Sequence, residues 1–144
     1  MSSSEIENKY VIFKLDEEYY GVPIENVLSI EKPRETTRIP NAPDYVRGVI
    51  NLRGEVVTTI DLRGKLDMIS KDFNGDSRII VVKENEVVVG LIVDSSSEVL
   101  EIDKENIDKP PMDENSESIQ YINGIGKTED RLIILLDLTK ILEY

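Results

Sequence analysis

Cysteine and histidine are both absent from the 144 residues of this sequence. Without cysteine, the chain has no disulfide bond, no thiolate metal site and no thiol nucleophile. Without histidine, it lacks the commonest general base and the usual ligand of transition metals, and a Ser-His-Asp triad is excluded. We therefore expect a protein that is not an enzyme and that holds no metal and no cofactor.

The sequence also lacks long apolar runs and a net positive charge. No run approaches the roughly 20 apolar residues that cross a bilayer, and residues 1–5 lack the basic and apolar parts of a signal peptide. The formal net charge of −12 repels nucleic-acid phosphates and acidic lipid surfaces. We expect a cytoplasmic protein that neither binds nucleic acid nor inserts into a membrane.

The apolar residues that are present fall into short runs of Ile, Val and Leu, a pattern that favours strands over long helices. Hydrophobic residues make up 40% of the chain, which is enough for a real core. The runs and the turn residues between them predict strands over 10–15, 19–22, 27–30, 48–52, 56–60, 79–82, 87–93, 99–102, 119–125 and 132–136, short helices over 62–66 and ending at Leu142, and an acidic extended loop over 103–118.

The two halves of the chain resemble each other, which indicates an internal duplication. Lys14, Glu17 and Gly21 recur 69 positions later as Lys83, Glu86 and Gly90, and Gly48, Asp61, Leu62 and Leu66 recur 76 positions later as Gly124, Asp137, Leu138 and Leu142. Each half offers about five strands, which is too small a unit to bury much surface alone.

The duplication predicts a single all-β domain over residues 1–144, made of two tandem five-stranded barrels that pack over a shared hydrophobic seam, with short helices. The first subdomain would span about 10–69 and the second about 78–144, on either side of a polar linker at 70–77. Exchange of elements between the two barrels is left open.

Three motifs that could carry chemistry have simpler interpretations. Residues 124–128 look like a phosphate loop, but Tyr121 stands where the first glycine is required. Residues 72–76 begin like a calcium loop, but a lysine stands at the position of the bidentate glutamate. Asp61 and Asp137 could form a carboxylate pair. Their equivalent places before the two predicted helices are more typical of N-caps.

The segment 46–54 combines two glycines and two arginines with apolar residues. Gly48 and Gly54 are typical of a bulge or of a turn with positive φ. Arg53 stands at the tip of the predicted hairpin, without a helical neighbour to pair with. Its planar guanidinium is suited to carboxylates or carbonyls of another protein. By local reasoning alone, a binding role and a purely structural role for Arg53 both stay open.

Two segments resemble the signatures of a known family: residues 48–54, with sequence GVINLRG, and residues 60–63, with sequence IDLR. They are similar to the G-V-x-N-L-R-G and DLR motifs of CheW adaptors and of the related regulatory domain of the CheA kinase. The later motifs of the family have counterparts here, in the same order, at residues 93–95, 99–100 and 121–126. The resemblance extends over residues 10–142.

This resemblance implies two five-stranded barrels of the SH3 type. It also implies a non-catalytic adaptor that couples chemoreceptors to the CheA histidine kinase and that is recruited in the cytoplasm to arrays of membrane receptors. The surface for the cytoplasmic tip of a methyl-accepting chemoreceptor would include Val27, Ser29, Ile30, Gly48, Arg53 and Gly54. The surface for the kinase regulatory domain or another partner would include Gly90, Val99, Leu100 and Ile102.

Simpler or different interpretations remain at this stage. Core packing is the plainer role for Val27, Ile30, Val99 and Ile102, because alternate residues of a strand must point inward. The chain could also be a CheW-like module of a receiver-fused adaptor or a fragment of a kinase regulatory region, although it ends directly after the last predicted helix. A small β-barrel enzyme is the alternative of a different class, and it would need a cofactor or an acidic pair.

Overall fold

The computed structural model describes residues 7–110 and 117–143, and in these ranges the chain forms eleven strands and two short helices. The strands are β1 (Lys9–Leu15), β2 (Glu18–Pro23), β3 (Val27–Glu31), β4 (Val46–Leu52), β5 (Glu55–Asp61), β6 (Arg78–Glu84), β7 (Val87–Val93), β8 (Ser95–Glu101), β9 (Ile107–Asp108), β10 (Ile122–Lys127) and β11 (Leu132–Leu136). The helices are α1 (Leu62–Lys65) and α2 (Leu138–Ile141).

The strands form two sheets. One has five strands in the order β3-β6-β7-β5-β4, and the other has six in the order β8-β1-β2-β11-β10-β9. The predicted all-β fold with two strand systems is confirmed. The six-stranded sheet differs from the expected five by β9, whose two residues pair with β10 inside the stretch predicted as a loop. Residues 111–116 of that predicted loop lie outside the described residues.

Each sheet contains a hairpin from the other half of the sequence. The hairpin β6–β7 lies between β3 and β5, and the hairpin β1–β2 lies between β8 and β11. Among the described strands, the halves are joined by two parallel pairs, β5 with β7 and β2 with β11, and by two antiparallel pairs, β3 with β6 and β1 with β8. The other strand pairs are antiparallel and lie within one half. Each sheet therefore draws strands from both sides of the segment 70–77. The subdomain boundary at 70–77 stays a prediction.

The two sheets pack against each other across a central hydrophobic cluster. Alternation along β6 explains the layering, because Ile80 and Val82 enter this cluster while Ile79 and Val81 enter a second one inside the five-stranded sheet. A third cluster fills the six-stranded sheet around Ile12. The central cluster contains residues of both sheets and both helices, among them Val11, Phe13, Leu15, Ile60, Leu62, Leu91, Val93, Leu138 and Ile141. The predicted shared seam is thus present.

The two short helices begin where the sequence predicted. The side chain of Asp61 accepts a hydrogen bond from the Arg63 N–H at 3.2 Å, and that of Asp137 accepts one from the Lys140 N–H at 3.3 Å, so both aspartates are N-caps. Within the described ranges, neither helix approaches the length and hydropathy needed to cross a membrane.

Two strand boundaries differ from the prediction by three residues or more. Strand β8 begins at Ser95 because its serines pair with β1 through the backbone, which needs no apolar side chain. Residues 119–121, predicted as strand, belong to a 3₁₀ turn that precedes β10.

The central cluster leads to a stability prediction. Leu91 is fully buried in that cluster, so Leu91→Ala should lower the free energy of unfolding by about 3 kcal/mol, measured by urea denaturation. The matched control is Leu132→Ala, an exposed leucine on β11 whose truncation should change stability by less than about 0.5 kcal/mol. Equal losses from the two variants would contradict the assignment of the main core to the seam.

Candidate functional site

The tip of the β4–β5 hairpin is a two-residue turn. Leu52 pairs with Glu55, which leaves Arg53 and Gly54 as the loop, with φ of 52° and 88°. Positive φ at both positions defines a type I′ turn, whose twist matches the strands it joins. The Asn51 side-chain oxygen accepts a hydrogen bond from the Gly54 N–H at 2.9 Å and holds the turn. The turn projects the Arg53 side chain into solvent, where 71% of it is exposed.

Arg53 pairs with the carboxylate of Glu31, a residue that is distant from it in the sequence. Its Nη2 lies 3.3 Å from Glu31 Oε2, and Arg34 Nη2 lies 2.8 Å from the other oxygen, Oε1. The side chain of Glu31 is only 10% exposed. The neighbouring Ser29 hydroxyl lowers the pKa of Glu31 most, burial opposes this, and the two guanidinium groups lower it further. Glu31 therefore stays ionised and orients Arg53.

Nothing in the sequence points to Glu31 as the partner of Arg53. The two residues are 22 positions apart, at the end of β3 and at the tip of the next hairpin. Only the pairing of distant strands brings them together. The one available signal is an acidic residue that closes a strand of otherwise apolar pattern, and that signal is common at strand ends.

Arg53 and Ser29 line the same open groove, whose volume is about 290 Å³. The apolar members of the groove are Leu28, Leu52, Val57, Val81 and Val88, and Glu55 completes it. A groove that combines apolar side chains with one exposed guanidinium is suited to an apolar side chain that has a carboxylate or carbonyl beside it. Two residues of the first predicted set thus meet at one concave surface.

The other four residues of that set lie in different environments. Ile30 is exposed, whereas Val27 is half-buried and packs against the central cluster. Gly54 is open on the turn. Gly48 is buried, with φ of 142°, and a Cβ there would lie 2.2 Å from the Thr37 carbonyl oxygen. Gly48 therefore lets the segment before β4 lie against that strand, a structural role away from the groove.

The second predicted set divides between interior and surface. A Cβ on Gly90 would lie 2.7 Å from Ile79 Cγ2, and Ile102 is buried in the cluster inside the six-stranded sheet. These two residues have no surface to offer a partner in this conformation. Val99 is 50% exposed and Leu100 is half-buried, both on β8 at an edge of the six-stranded sheet. The exposed members of the two sets thus belong to different sheets.

Comparison with known proteins identifies related sequences and a related structure. The family model described as CheW-like domain matches residues 9–144. Chemotaxis protein CheW of Helicobacter pylori is 38% identical over 135 residues, which cover 94% of this chain and 81% of that protein. Chemotaxis protein CheW of Bacillus subtilis is 33% identical over 135 residues, covering 94% of this chain and 86% of that protein. The crystal structure of the scaffolding protein TtCheW from Thermoanaerobacter tengcongensis matches with a TM-score of 0.88 at 37% identity, covering 95% and 93% of the two chains.

The lowered pKa of Glu31 predicts how stability depends on pH. A carboxyl whose pKa is lower in the folded state contributes stability above its unfolded pKa, and this contribution is lost as the pH falls through the folded pKa. At neutral pH, Glu31→Gln should therefore have a lower free energy of unfolding than the wild type. This difference should narrow as the pH falls below 4.5, the usual pKa of a glutamate side chain. Denaturation at a series of pH values measures it.

A suitable control is Ile69→Gln, which replaces an exposed apolar residue without adding or removing a titrating group. Its pH profile should run parallel to that of the wild type. A difference between wild type and Glu31→Gln that stays constant from about pH 7 to about pH 3 would contradict the role given to Glu31.

Proposed function

Because this chain belongs to the family of CheW-like domains, we propose that it works as a chemotaxis coupling adaptor through two separate surfaces, one for a chemoreceptor and one for the CheA histidine kinase. The relatives are chemotaxis proteins by name, and the matching crystal structure is that of a scaffolding protein. An adaptor of this kind acts by binding and catalyses no reaction. Its place is the cytoplasm, recruited to arrays of membrane receptors.

The receptor surface is the groove beside the β4–β5 turn. The observation that carries this assignment is a guanidinium that is exposed, oriented by the buried Glu31 carboxylate and set beside apolar side chains. A guanidinium has five N–H donors, so Arg53 keeps donors for a partner after its contact with Glu31. The cytoplasmic tip of a chemoreceptor would place an apolar side chain in the groove and a carboxylate or carbonyl oxygen on Arg53.

Further residues of the predicted receptor set would widen this surface or shape it. Ile30 and Val27 lie on β3, the strand that also supplies Ser29, and Ile30 adds exposed apolar area. Gly54 completes the turn that projects Arg53. Gly48 would act indirectly, by fixing the segment that packs on β4.

The kinase surface is the edge strand β8 with its exposed Val99 and neighbouring Leu100. Gly90 and Ile102 would support this function from the interior, by fixing the sheets that carry the surface. The partner would be the regulatory domain of the CheA kinase. Since the groove and this edge belong to different sheets, both partners could bind at once.

Arg53→Ala should weaken receptor binding by about tenfold or more, because an exposed arginine that becomes buried at an interface often carries much of the affinity. The fold should be retained, since Arg34 still pairs with Glu31. Binding is measured with the purified receptor cytoplasmic domain, and coupling by receptor-dependent kinase phosphorylation. Arg53→Lys tests whether the planar fork is needed. Lys104→Ala, an exposed cation elsewhere, is the control. Unchanged receptor binding and kinase activation in Arg53→Ala would refute the assignment.

Val99→Lys tests the second surface separately. A charge on the apolar edge of β8 should lower affinity for the kinase regulatory domain by about tenfold and leave receptor binding unchanged. The circular dichroism spectrum should be retained, since Val99 is exposed. Ile69→Lys places the same charge at another exposed apolar position and serves as the control. If the two variants bound the kinase domain equally well, β8 would not be the kinase surface.

A further inference from the structure

Arg63 is a buried arginine that lies where the two sheets meet. It is the second residue of α1, and only 8% of its side chain is exposed. Its guanidinium contacts two segments that are distant in the sequence, the β1–β2 turn and the junction between β7 and β8, and also the nearby loop after α1. A buried guanidinium is retained only where its charge and its donors are matched.

Each donor group of the Arg63 guanidinium has an oxygen partner. Nε lies 2.8 Å and Nη2 lies 2.6 Å from the two carboxylate oxygens of Asp94, a bidentate pair. Nη1 donates to the Ile69 carbonyl at 2.9 Å, and Nη2 also contacts the Asp16 carboxylate. The Asp16 N–H donates to Asp94 Oδ2 at 2.7 Å, which closes the network.

The charged groups of the network stabilise each other's ionised forms. The hydrogen bond to Asp94 is the largest cause that raises the pKa of Arg63. Burial pushes the pKa of Asp94 upward, but the hydrogen bonds from Arg63 and from the Asp16 N–H, together with the positive charges of Arg63 and Lys71, outweigh it and lower that pKa. The ion pair therefore persists across the physiological pH range.

This network connects one sheet to the other. Helix α1 continues from β5 of the five-stranded sheet, whereas Asp16 lies in the hairpin turn of β1 and β2 in the six-stranded sheet. Asp94 is the single residue between β7 of the first sheet and β8 of the second. Hydrophobic contact across the seam is non-directional and tolerates small rotations. A bidentate ion pair, by contrast, holds a fixed geometry.

The duplication does not repeat this ion pair. The residue 76 positions after Arg63 is Thr139, and the residue 69 positions after Asp16 is Asn85, so the equivalent places carry no charge. Helix α1 makes a second contact that breaks the pseudo-symmetry in the same way. Lys65 Nζ lies 4.2 Å from the ring centre of Tyr45 and 5.3 Å from that of Tyr121, two tyrosines at equivalent positions. The residue 76 positions after Lys65 is Ile141, so within the part of the chain that the structure describes α2 has no counterpart of either contact.

We propose that Arg63, through Asp94 and Asp16, is a positioning residue that fixes the angle between the two sheets and so lets a change at the Arg53 groove reach the β8 edge. The proposal rests on the function proposed above. Arg63 lies outside both predicted surfaces, and its hydrogen-bond partners belong to neither set. Its removal should therefore uncouple the two surfaces without weakening either one, because coupling needs a defined relation between sites.

The angle between the sheets can be measured directly, since the chain has no native cysteine to compete for labels. Val56→Cys on β5 and Leu132→Cys on β11 are equivalent positions, one in each sheet, and their native side chains are 75% and 64% exposed. Pulsed electron paramagnetic resonance between nitroxides at these sites gives a distance distribution. We expect the distribution to broaden or shift in Arg63→Met and to stay as in the wild type in Arg131→Met.

Arg131→Met is the matched control, because Arg131 is also mostly buried and also pairs with a carboxylate, that of Glu98, but within the six-stranded sheet alone. Asp16→Asn is a second, milder variant in case Arg63→Met does not fold. Asparagine tolerates the positive φ of 56° at this position and removes only the charge. The shift expected for Asp16→Asn is smaller but in the same direction.

The functional experiment uses Arg63→Met, Asp16→Asn and Arg131→Met without the nitroxide labels. Affinities for the isolated receptor domain and the isolated kinase regulatory domain should stay within about twofold of the wild type, while receptor-dependent kinase activation should fall by about tenfold. Unchanged distance distributions in both Arg63→Met and Asp16→Asn would overturn the proposal, and so would a loss of binding to either single partner. A wild-type protein that binds neither partner would instead overturn the proposed function. The distance measurement needs no partner, so it would still decide whether Arg63 fixes the sheets.

Discussion

The insertion of a hairpin from one half of the sequence between strands of the other holds the molecule together, through two parallel pairs, β5 with β7 and β2 with β11, and two antiparallel pairs, β3 with β6 and β1 with β8. An isolated half would leave its sheet without its middle strands and its apolar faces open to water. The exchange turns two similar units, each too small to bury a large core, into one body with a central cluster and two outer ones. The shape of every surface feature depends on this body.

A rigid body is what a coupling adaptor requires. In the proposed receptor groove, a tight turn and a carboxylate held between two arginines orient Arg53 in the free protein, and this preorganisation would reduce the entropy lost on binding. The β8 edge lies in the other sheet. The relation between the two proposed surfaces is therefore a property of the seam, where apolar packing supplies most of the cohesion and the Arg63 network, in our proposal, fixes the angle between the sheets.

Local patterns in the sequence were sufficient for ten of the eleven described strands, the helix caps and the β4–β5 turn. Runs such as 79–82 mark strands buried on both faces, and Asp61 and Asp137 mark helix starts because a cap acts on its own first turn. The motif around Arg53 is likewise contiguous. By contrast, the partner of Arg53 and the network of Arg63 join residues that no local pattern relates. The same holds for β9, which has two residues and owes its existence to pairing with β10.

The exchange of hairpins also bears on how the chain is made. Tyr19, near the beginning of the sequence, pairs in parallel with Ile133, near its end, and so the six-stranded sheet depends on contacts of very large sequence separation. Such contacts form late, since the entropy of closing a long loop must be lost before they are gained. During synthesis on the ribosome, the hairpin β1–β2 must therefore wait with its apolar face incompletely covered until β11 has emerged. The strongly negative charge of the chain would keep such nascent chains apart through that interval.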